Sequence, residues 1–277
     1  MRLGDTDVGN LVYLKVSGND TAFRVMHHGK PNATYDNSFS GGTILMLDCS
    51  ETPYQTRMVE EVDERKGDYS TSYMHQALNS TWLNRLEADV AEKIVQVRLP
   101  YRQGTSRNPY VVASGSSGLA AKIWLPSIAE VSRGAHKSAG DSGSYYVTEG
   151  ARFDYFKGAS ASFYVNWRVE DPDTEVDTGW GTRTPGQYSS GAYADFFCKI
   201  NVSGEWYEAI TNPVYVRPCL VLPDDTLVDN SSRITVGVET PVKVSGTWRA
   251  GVSWSKIGGV WRKTEAIHKK VDGSWKQ

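Results

Sequence analysis

Apolar and polar positions alternate cleanly at the start of the chain and then change period. Leu11-Val-Tyr-Leu-Lys-Val16 and Ala22-Phe-Arg-Val-Met26 flank Ser17-Gly18-Asn19-Asp20 and predict a hairpin. Thr43-Ile-Leu-Met-Leu-Asp48, after Gly41-Gly42, reads as a short, continuously apolar strand. From Ser70 the spacing becomes helical. Ser70–Leu78 has a cap-like start with Tyr73, Ala77 and Leu78 on one face, and Asn84–Val95 carries Leu86, Val90, Ile94 and Val97 at helical intervals. Pro100 ends that pattern. Leu119–Leu125 predicts a strand closed by Pro126, Ser132–Ser190 holds few regular runs, and strand signals return in Ala194–Val202, Glu205–Ile210 and Val214–Pro223. A hairpin, two short helices and long irregular stretches within a strand framework describe an α+β fold.

The last stretch repeats itself. Lys243-Val-Ser-Gly-Thr-Trp-Arg249, Lys256-Ile-Gly-Gly-Val-Trp-Arg262 and Lys270-Val-Asp-Gly-Ser-Trp-Lys276 share one pattern: Lys, an aliphatic residue, a turn dipeptide ending in Gly, any residue, Trp and a base. Ser-Gly, Gly-Gly and Asp-Gly reach the positive φ angles of tight hairpin turns, so the tail is expected to be a β-meander. The resulting division is an α+β domain over 1–229, a linker over 230–242 and the repeat over 243–277. Residues 243–276 hold eight Lys or Arg against Glu265 and Asp272, a net of +6, whereas the whole chain is −2. The remainder therefore carries −8. A basic, Trp-bearing tail on an acidic body suggests docking onto something anionic, through Trp248, Trp261, Trp275, Arg249, Arg262 and Lys276. An acidic neighbour in an assembly, a cell-wall polymer and, as the weakest case, nucleic acid all fit. So does a solvated basic face with no partner.

Hydrophobic residues at 39% and charged residues at 22% are those of an ordinary globular protein. No apolar run approaches the ~20 residues that span a membrane, so no membrane insertion is expected. Met1–Asp5 has no apolar core, which predicts synthesis in the cytoplasm without a secretory signal. Cys49, Cys198 and Cys219 are odd in number and lack CxxC spacing, so neither a disulfide framework nor a thiolate metal site is indicated. The histidines (27, 28, 75, 136, 268) show no HExxH-like spacing. Asp171, Asp173, Glu175 and Asp177 alternate as calcium ligands can, but without the mid-loop Gly and distal Glu of an EF-hand they read as a solvated acidic loop. The sequence therefore predicts no enzyme, no metal and no cofactor.

Sixteen of the 31 aromatics fall between Tyr145 and Tyr215. Trp180, Tyr188, Tyr193, Trp206 and Tyr207, with Ser and Gly between them, have the composition of a binding surface: large rigid contacts beside adaptable polar ones. The competing reading places Phe196 and Trp206, within strands, in the core. Arg183 and Arg217, beside prolines, read as internal locks on backbone carbonyls rather than ligand contacts.

Several stretches together resemble an uncharacterised domain family common in phages and prophages of gut Firmicutes. They are Val12–Pro31, LNSTWL at Leu78–Leu83, VRLPYR at Val97–Arg102, GSSGLAAKIWLPSIAEV at Gly115–Val131, GWGTRTP at Gly179–Pro185 and VRPCLVLP at Val216–Pro223. The pattern is in turn similar to the C-type-lectin-like fold of formylglycine-generating enzymes and of variable proteins of diversity-generating retroelements. The tail resembles C-terminal repeats of phage tail proteins. The resemblance implies a virion protein, tail-associated, that attaches to a host-surface glycan or protein and contacts other virion proteins and further copies of itself. A decoration or baseplate component without a receptor is the alternative. A degenerate sulfatase-modifying-type enzyme is another, and would need a reactive thiol at Cys198 or Cys219.

Overall fold

The computed structural model describes residues 1–48, 55–57, 68–102, 112–131, 149–157, 179–185, 196–201, 204–209 and 213–236, and within the tail 239–244, 247–252, 254–257, 260–263, 269–271 and 274–276. For 55–56, 185, 196–198, 201, 204–209 and the tail, the backbone alone is described. In chain order the elements are β1 (Leu11–Val16), β2 (Asn19–His28), β3 (Gly42–Leu47), β4 (Gln55–Thr56), α1 (Tyr73–Ala77), α2 (Ala88–Lys93), β5 (Val97–Leu99), β6 (Tyr101–Arg102), β7 (Val112–Ala113), β8 (Leu119–Ala121), β9 (Ile123–Trp124) and α3 (Ile128–Val131). There follow β10 (Trp180–Pro185), β11 (Phe196–Asn201), β12 (Gly204–Ala209), β13 (Val214–Val216), β14 (Cys219–Pro223), β15 (Leu227–Val228) and β16 (Ile234–Thr235). The tail holds β17 (Glu239–Val244), β18 (Thr247–Val252), β19 (Trp254–Ile257), β20 (Val260–Lys263), β21 (Lys269–Val271) and β22 (Ser274–Lys276). The fold is mixed α+β: mostly strands, a few short helices and several small sheets.

Two five-stranded sheets organise the body, in the orders β1-β2-β3-β14-β9 and β12-β11-β10-β13-β4. In the first, β3 and β14 are buried on both faces, which explains why these central strands read as continuous apolar runs, while β1 alternates buried and half-buried positions. Period-two alternation then divides each strand between two clusters. Leu45, Leu47, Leu220 and Leu222 pack with Met74, Leu78, Trp82, Val90 and Ile94 of the helical region. Ile44, Met46, Cys219 and Val221 pack with Trp180, Ile200 and Tyr215 of the second sheet. Gly42 sits where β3 meets β14; a Cβ there would lie 2.5 Å from Val221 Cγ1.

The first hairpin forms as expected, with Val16 opposite Asn19 and only Ser17-Gly18 between them. Both residues have positive φ, 51° and 84°, as a tight turn matching strand twist requires. The run Val214–Pro223, which reads as one strand, is two. Val-Arg-Pro breaks it at Arg217-Pro218, so that β13 belongs to one sheet and β14 to the other. Proline supplies no N–H for a ladder, and this corner stitches the sheets together.

The helical segment differs from its expectation. Ser72 caps α1, its Oγ accepting from His75 N at 3.0 Å, and the helix widens into a π-turn over Leu78–Trp82. Asn79 makes this worthwhile. Its Nδ2 donates to the Ile123 carbonyl at 2.7 Å, and its Oδ1 accepts from Lys122 N and Ile123 N at 3.0 and 3.1 Å. One amide thus serves the irregular backbone between β8 and β9 as a neighbouring strand would. Leu86 is extended and bridges to Val16, which separates the π-turn from α2. The buried face consists of Met74, Ala77 and Leu78, while Tyr73, expected on it, is 41% exposed.

Residues 230–236, expected to belong to a linker, are instead docked on the body. Asp229 Oδ1 accepts from Ser231 N and Arg233 N, Ser232 O accepts from Tyr13 N, Arg233 reaches Asp20 at 2.6 Å, and Val236 is buried. The tail likewise is not one meander: β17–β18, β19–β20 and β21–β22 are three separate two-stranded ribbons.

His75 lies half-buried with its ring edge-on to Tyr69, at 5.1 Å between centroids. Burial lowers its pKa from 6.5 to about 4. The unfolded chain therefore takes up the proton first on acidification, and stability is lost as pH falls from about 6.5 towards 4. We predict that His75→Gln removes on the order of 2 kcal/mol of this acid-linked loss, read from urea unfolding of both proteins at pH 7 and pH 4.5.

Candidate functional site

The functional candidate is built around β10 and α3, where five ionisable side chains lie out of solvent: Arg102, Glu130, Glu149, Arg183 and Arg217, none more than 2% exposed. Arg183 and Glu130 form its centre. Arg183 Nη1 donates to Glu130 Oε2 at 2.7 Å and Nη2 to Oε1 at 2.8 Å, a bidentate pair. The guanidinium also donates to the carbonyls of Leu125, Pro100 and Glu149 at 2.9, 2.9 and 3.2 Å. Arg183 therefore locks three backbone segments, the role that the sequence suggested for it.

Glu130 is held as firmly. Tyr35 Oη donates to Oε1 at 2.6 Å and Ser127 N to Oε2 at 2.9 Å, so the carboxylate accepts four hydrogen bonds. Ser127 precedes α3, its Oγ accepting from Glu130 N at 3.2 Å. Ser127-x-x-Glu130 is thus a capping box whose Glu also pairs with an arginine. This Ser-x-x-Glu spacing is a signal that the sequence reading passed over. Glu149 completes the cluster: Oε2 accepts from Thr184 Oγ1 at 2.7 Å and Oε1 from Arg102 N at 3.2 Å. Ser127 Oγ donates to the Glu149 carbonyl at 2.8 Å.

Electrostatics follow the burial. For Arg183, desolvation opposes the charge, but Glu130 and then Glu149 outweigh it and its pKa rises. Burial pushes the Glu149 carboxyl up against the opposing pull of Arg183. Burial, then Glu130, push Tyr35 well up, keeping it a donor. Burial also pushes up the Cys219 thiol, which is fully buried; such a thiol is inert. Cys49 lies outside the described residues, and at Cys198 the backbone alone is described. Among the described residues no group of three or more His, Cys, Asp or Glu could hold a metal ion.

At the heart of the cluster the Arg183 and Glu130 side chains face one another. The cluster's position gives it interest. Arg102, Val131, Glu149 and Thr184 stand at or next to the points where residues 103–111, 132–148 and 186–195 leave and re-enter the described chain. Ile128 N donates to Thr184 Oγ1 and Arg183 N to Pro126 O, so the roots of these polar, Gly- and Ser-rich stretches meet in one hydrogen-bonded knot.

The site residues expected from sequence are dispersed. Trp180 is corrected: it pairs with Ile200 on one side and Tyr215 on the other, is 0% exposed, and has the Arg217 guanidinium 5.6 Å from its ring centre. A ring with no exposed surface offers a ligand nothing. Trp206 and Tyr207 fall on β12, an edge strand of the second sheet. Tyr188, Tyr193 and the acidic run Asp171, Asp173, Glu175 and Asp177 lie outside the described residues. Trp248, Arg249, Trp261, Arg262, Trp275 and Lys276 fall on the tail ribbons.

These features define an α+β domain with a locked polar core. Residues 40–224, well over half of the chain, match the family described as domain of unknown function DUF6273, and the chain belongs to that family. The structural unit is wider than the match, since β1 and β2 precede residue 40 and are integral to the first sheet. No curated protein and no solved structure matches the chain. No helix among the described residues is long and apolar enough to cross a membrane.

We predict that Arg183→Met, which strands the Glu130 carboxylate in the interior, costs about 3–5 kcal/mol in urea unfolding. Adding Glu130→Gln should recover part of that loss, because the uncompensated charge is gone. Additive losses would show that the two residues are not coupled.

Proposed function

We propose that the chain is a tail-associated virion protein that acts as a host-surface adhesin, with a C-type-lectin-like body and a basic hairpin appendage. One observation carries this reading: polar, Ser- and Gly-rich stretches are rooted together in a rigid, ion-paired knot. Sequence adjoining a fixed scaffold is where proteins often place recognition. The sequence resemblance to phage and prophage proteins supplies the setting, and a host-surface glycan or protein is the partner. Tyr188 and Tyr193 are the aromatic anchors, with Trp206 and Tyr207, on β12, as further contacts. Trp180 is not part of the contact; it holds the scaffold from within. Contacts with other virion proteins and with further copies of the chain complete the assembly.

No catalytic role is assigned. The degenerate sulfatase-modifying reading needs a reactive thiol at Cys198 or Cys219, and burial disfavours the Cys219 thiolate.

Fluorescently labelled full-length protein, titrated onto a panel of intact Gram-positive gut bacteria, tests the proposal. Saturable binding to at least one strain is expected. Tyr188→Ala/Tyr193→Ala should weaken it by about tenfold or more, the loss of hot-spot aromatics, with an unchanged melting temperature. If no strain is bound, the adhesin reading fails and a decoration component without receptor takes its place.

A further inference from the structure

Sequence repetition in the tail becomes geometric repetition. In the three ribbons Val244 lies opposite Thr247, Ile257 opposite Val260 and Val271 opposite Ser274, leaving two residues at each turn. One step further from the turn the partners are Lys243 and Trp248, Lys256 and Trp261, Lys270 and Trp275. Every ribbon therefore sets a lysine directly across from a tryptophan at this step, and the middle ribbon repeats the pair in reverse, with Trp254 opposite Lys263. Directly opposed residues share a face at about 4.5–5.5 Å between Cβ atoms. The base after each Trp (Arg249, Arg262, Lys276) stands on the alternate face, because strand positions alternate.

We propose that the Lys–Trp faces of the three ribbons bind a repeating acidic polysaccharide, one anionic sugar residue to each ribbon. The chemistry is specific to the pair. An indole accepts the apolar face of a pyranose ring, and a lysine one cross-strand step away reaches a carboxylate or phosphate on the same sugar. Three ribbons that share this Lys–Trp step suit a ligand that repeats, and linkage multiplies weak single contacts. Charge complementarity agrees, with +6 over residues 243–276. Nucleic acid fits less well: the chain as a whole is −2, and a dense polyanion is held chiefly by many phosphate contacts. This inference concerns residues other than the aromatic ones proposed for the body and does not depend on them.

The test uses the full-length chain in affinity electrophoresis and in titrations followed by tryptophan fluorescence. Polygalacturonate supplies one carboxylate per pyranose, dextran supplies rings without charge, and oligo-dT supplies charge with bases. Polygalacturonate should bind, and dextran should not. Lys243→Gln/Lys256→Gln/Lys270→Gln should weaken binding by about a hundredfold, since all three contacts are impaired together. Arg249→Gln/Arg262→Gln/Lys276→Gln removes the same charge from the other face and should change it by no more than about twofold. Circular dichroism of both triple variants checks that the ribbons persist. Tyr188→Ala/Tyr193→Ala should leave polygalacturonate binding intact, so failure of the adhesin reading and failure of this one are separable. The proposal is overturned if polygalacturonate does not bind, if both triple variants lose affinity equally, or if oligo-dT binds as tightly.

Discussion

The Arg183–Glu130 pair is the constraint on which the body depends. Removing two charges from water is expensive, and a pair so deep persists only when most of its remaining donors and acceptors are engaged. Arg183 Nε makes no hydrogen bond and stands 3.7 Å from Glu149 Oε1. Here the carboxylate is saturated by Tyr35, Ser127 and both terminal nitrogens of Arg183. The guanidinium in turn collects carbonyls from Pro100, Leu125 and Glu149. A shift of any one segment would orphan a buried group, so they hold position together. This is specification through polar satisfaction, and it fixes the points from which the polar stretches depart.

The two late signatures prove to be halves of one feature. Trp180 and Gly181 pair in parallel with Tyr215 and Val216, which brings Gly-Trp-Gly-Thr-Arg beside Val-Arg-Pro. Arg217 then lies against the Trp180 ring, and the chain turns at Pro218 into the first sheet, where the Pro218 carbonyl accepts from Leu47 N. These motifs are thus architectural. They mark membership of the family without revealing a ligand, and the recognition chemistry has to be sought on other residues.

Much of the framework was legible because burial imposes simple periods. The first hairpin, the apolar strands β3 and β14 and the internal role of Arg183 could all be read from residue order. The helical region was less legible, since Leu86, Val90 and Ile94 keep helical spacing and are all buried, yet Leu86 is extended. Spacing reports burial, and two different backbones can bury the same residues. Trp180 misled for a related reason: Gly on both sides suggests an open loop, while here Gly181 accompanies a ring packed between two strands. The docked segment at 230–236 was missed because its hold is an Asx-type turn at Asp229 and an ion pair to Asp20, features of polar residues that also populate linkers. The repeat was the clearest signal, although the sequence did not show that, among the described residues, it forms three two-stranded ribbons.

Burial also alters the charge contrast between body and tail. Among the described residues, the five buried Arg and Glu side chains, three arginines and two glutamates, sum to +1. The rest of residues 1–242 with Gln277 therefore carries −9 rather than −8, set against +6 in the tail. At low ionic strength an acidic body attracts its own or a neighbouring tail and repels an acidic polymer. At physiological salt, fields between exposed charges fade beyond about 8 Å, and only groups brought into contact matter. A lysine placed opposite a tryptophan is such a contact, because the ring adds affinity that salt does not screen. Bare electrostatic attraction would weaken steadily with salt, whereas stacking on the ring should leave part of the binding to an acidic glycan in place after the charge contribution has been screened.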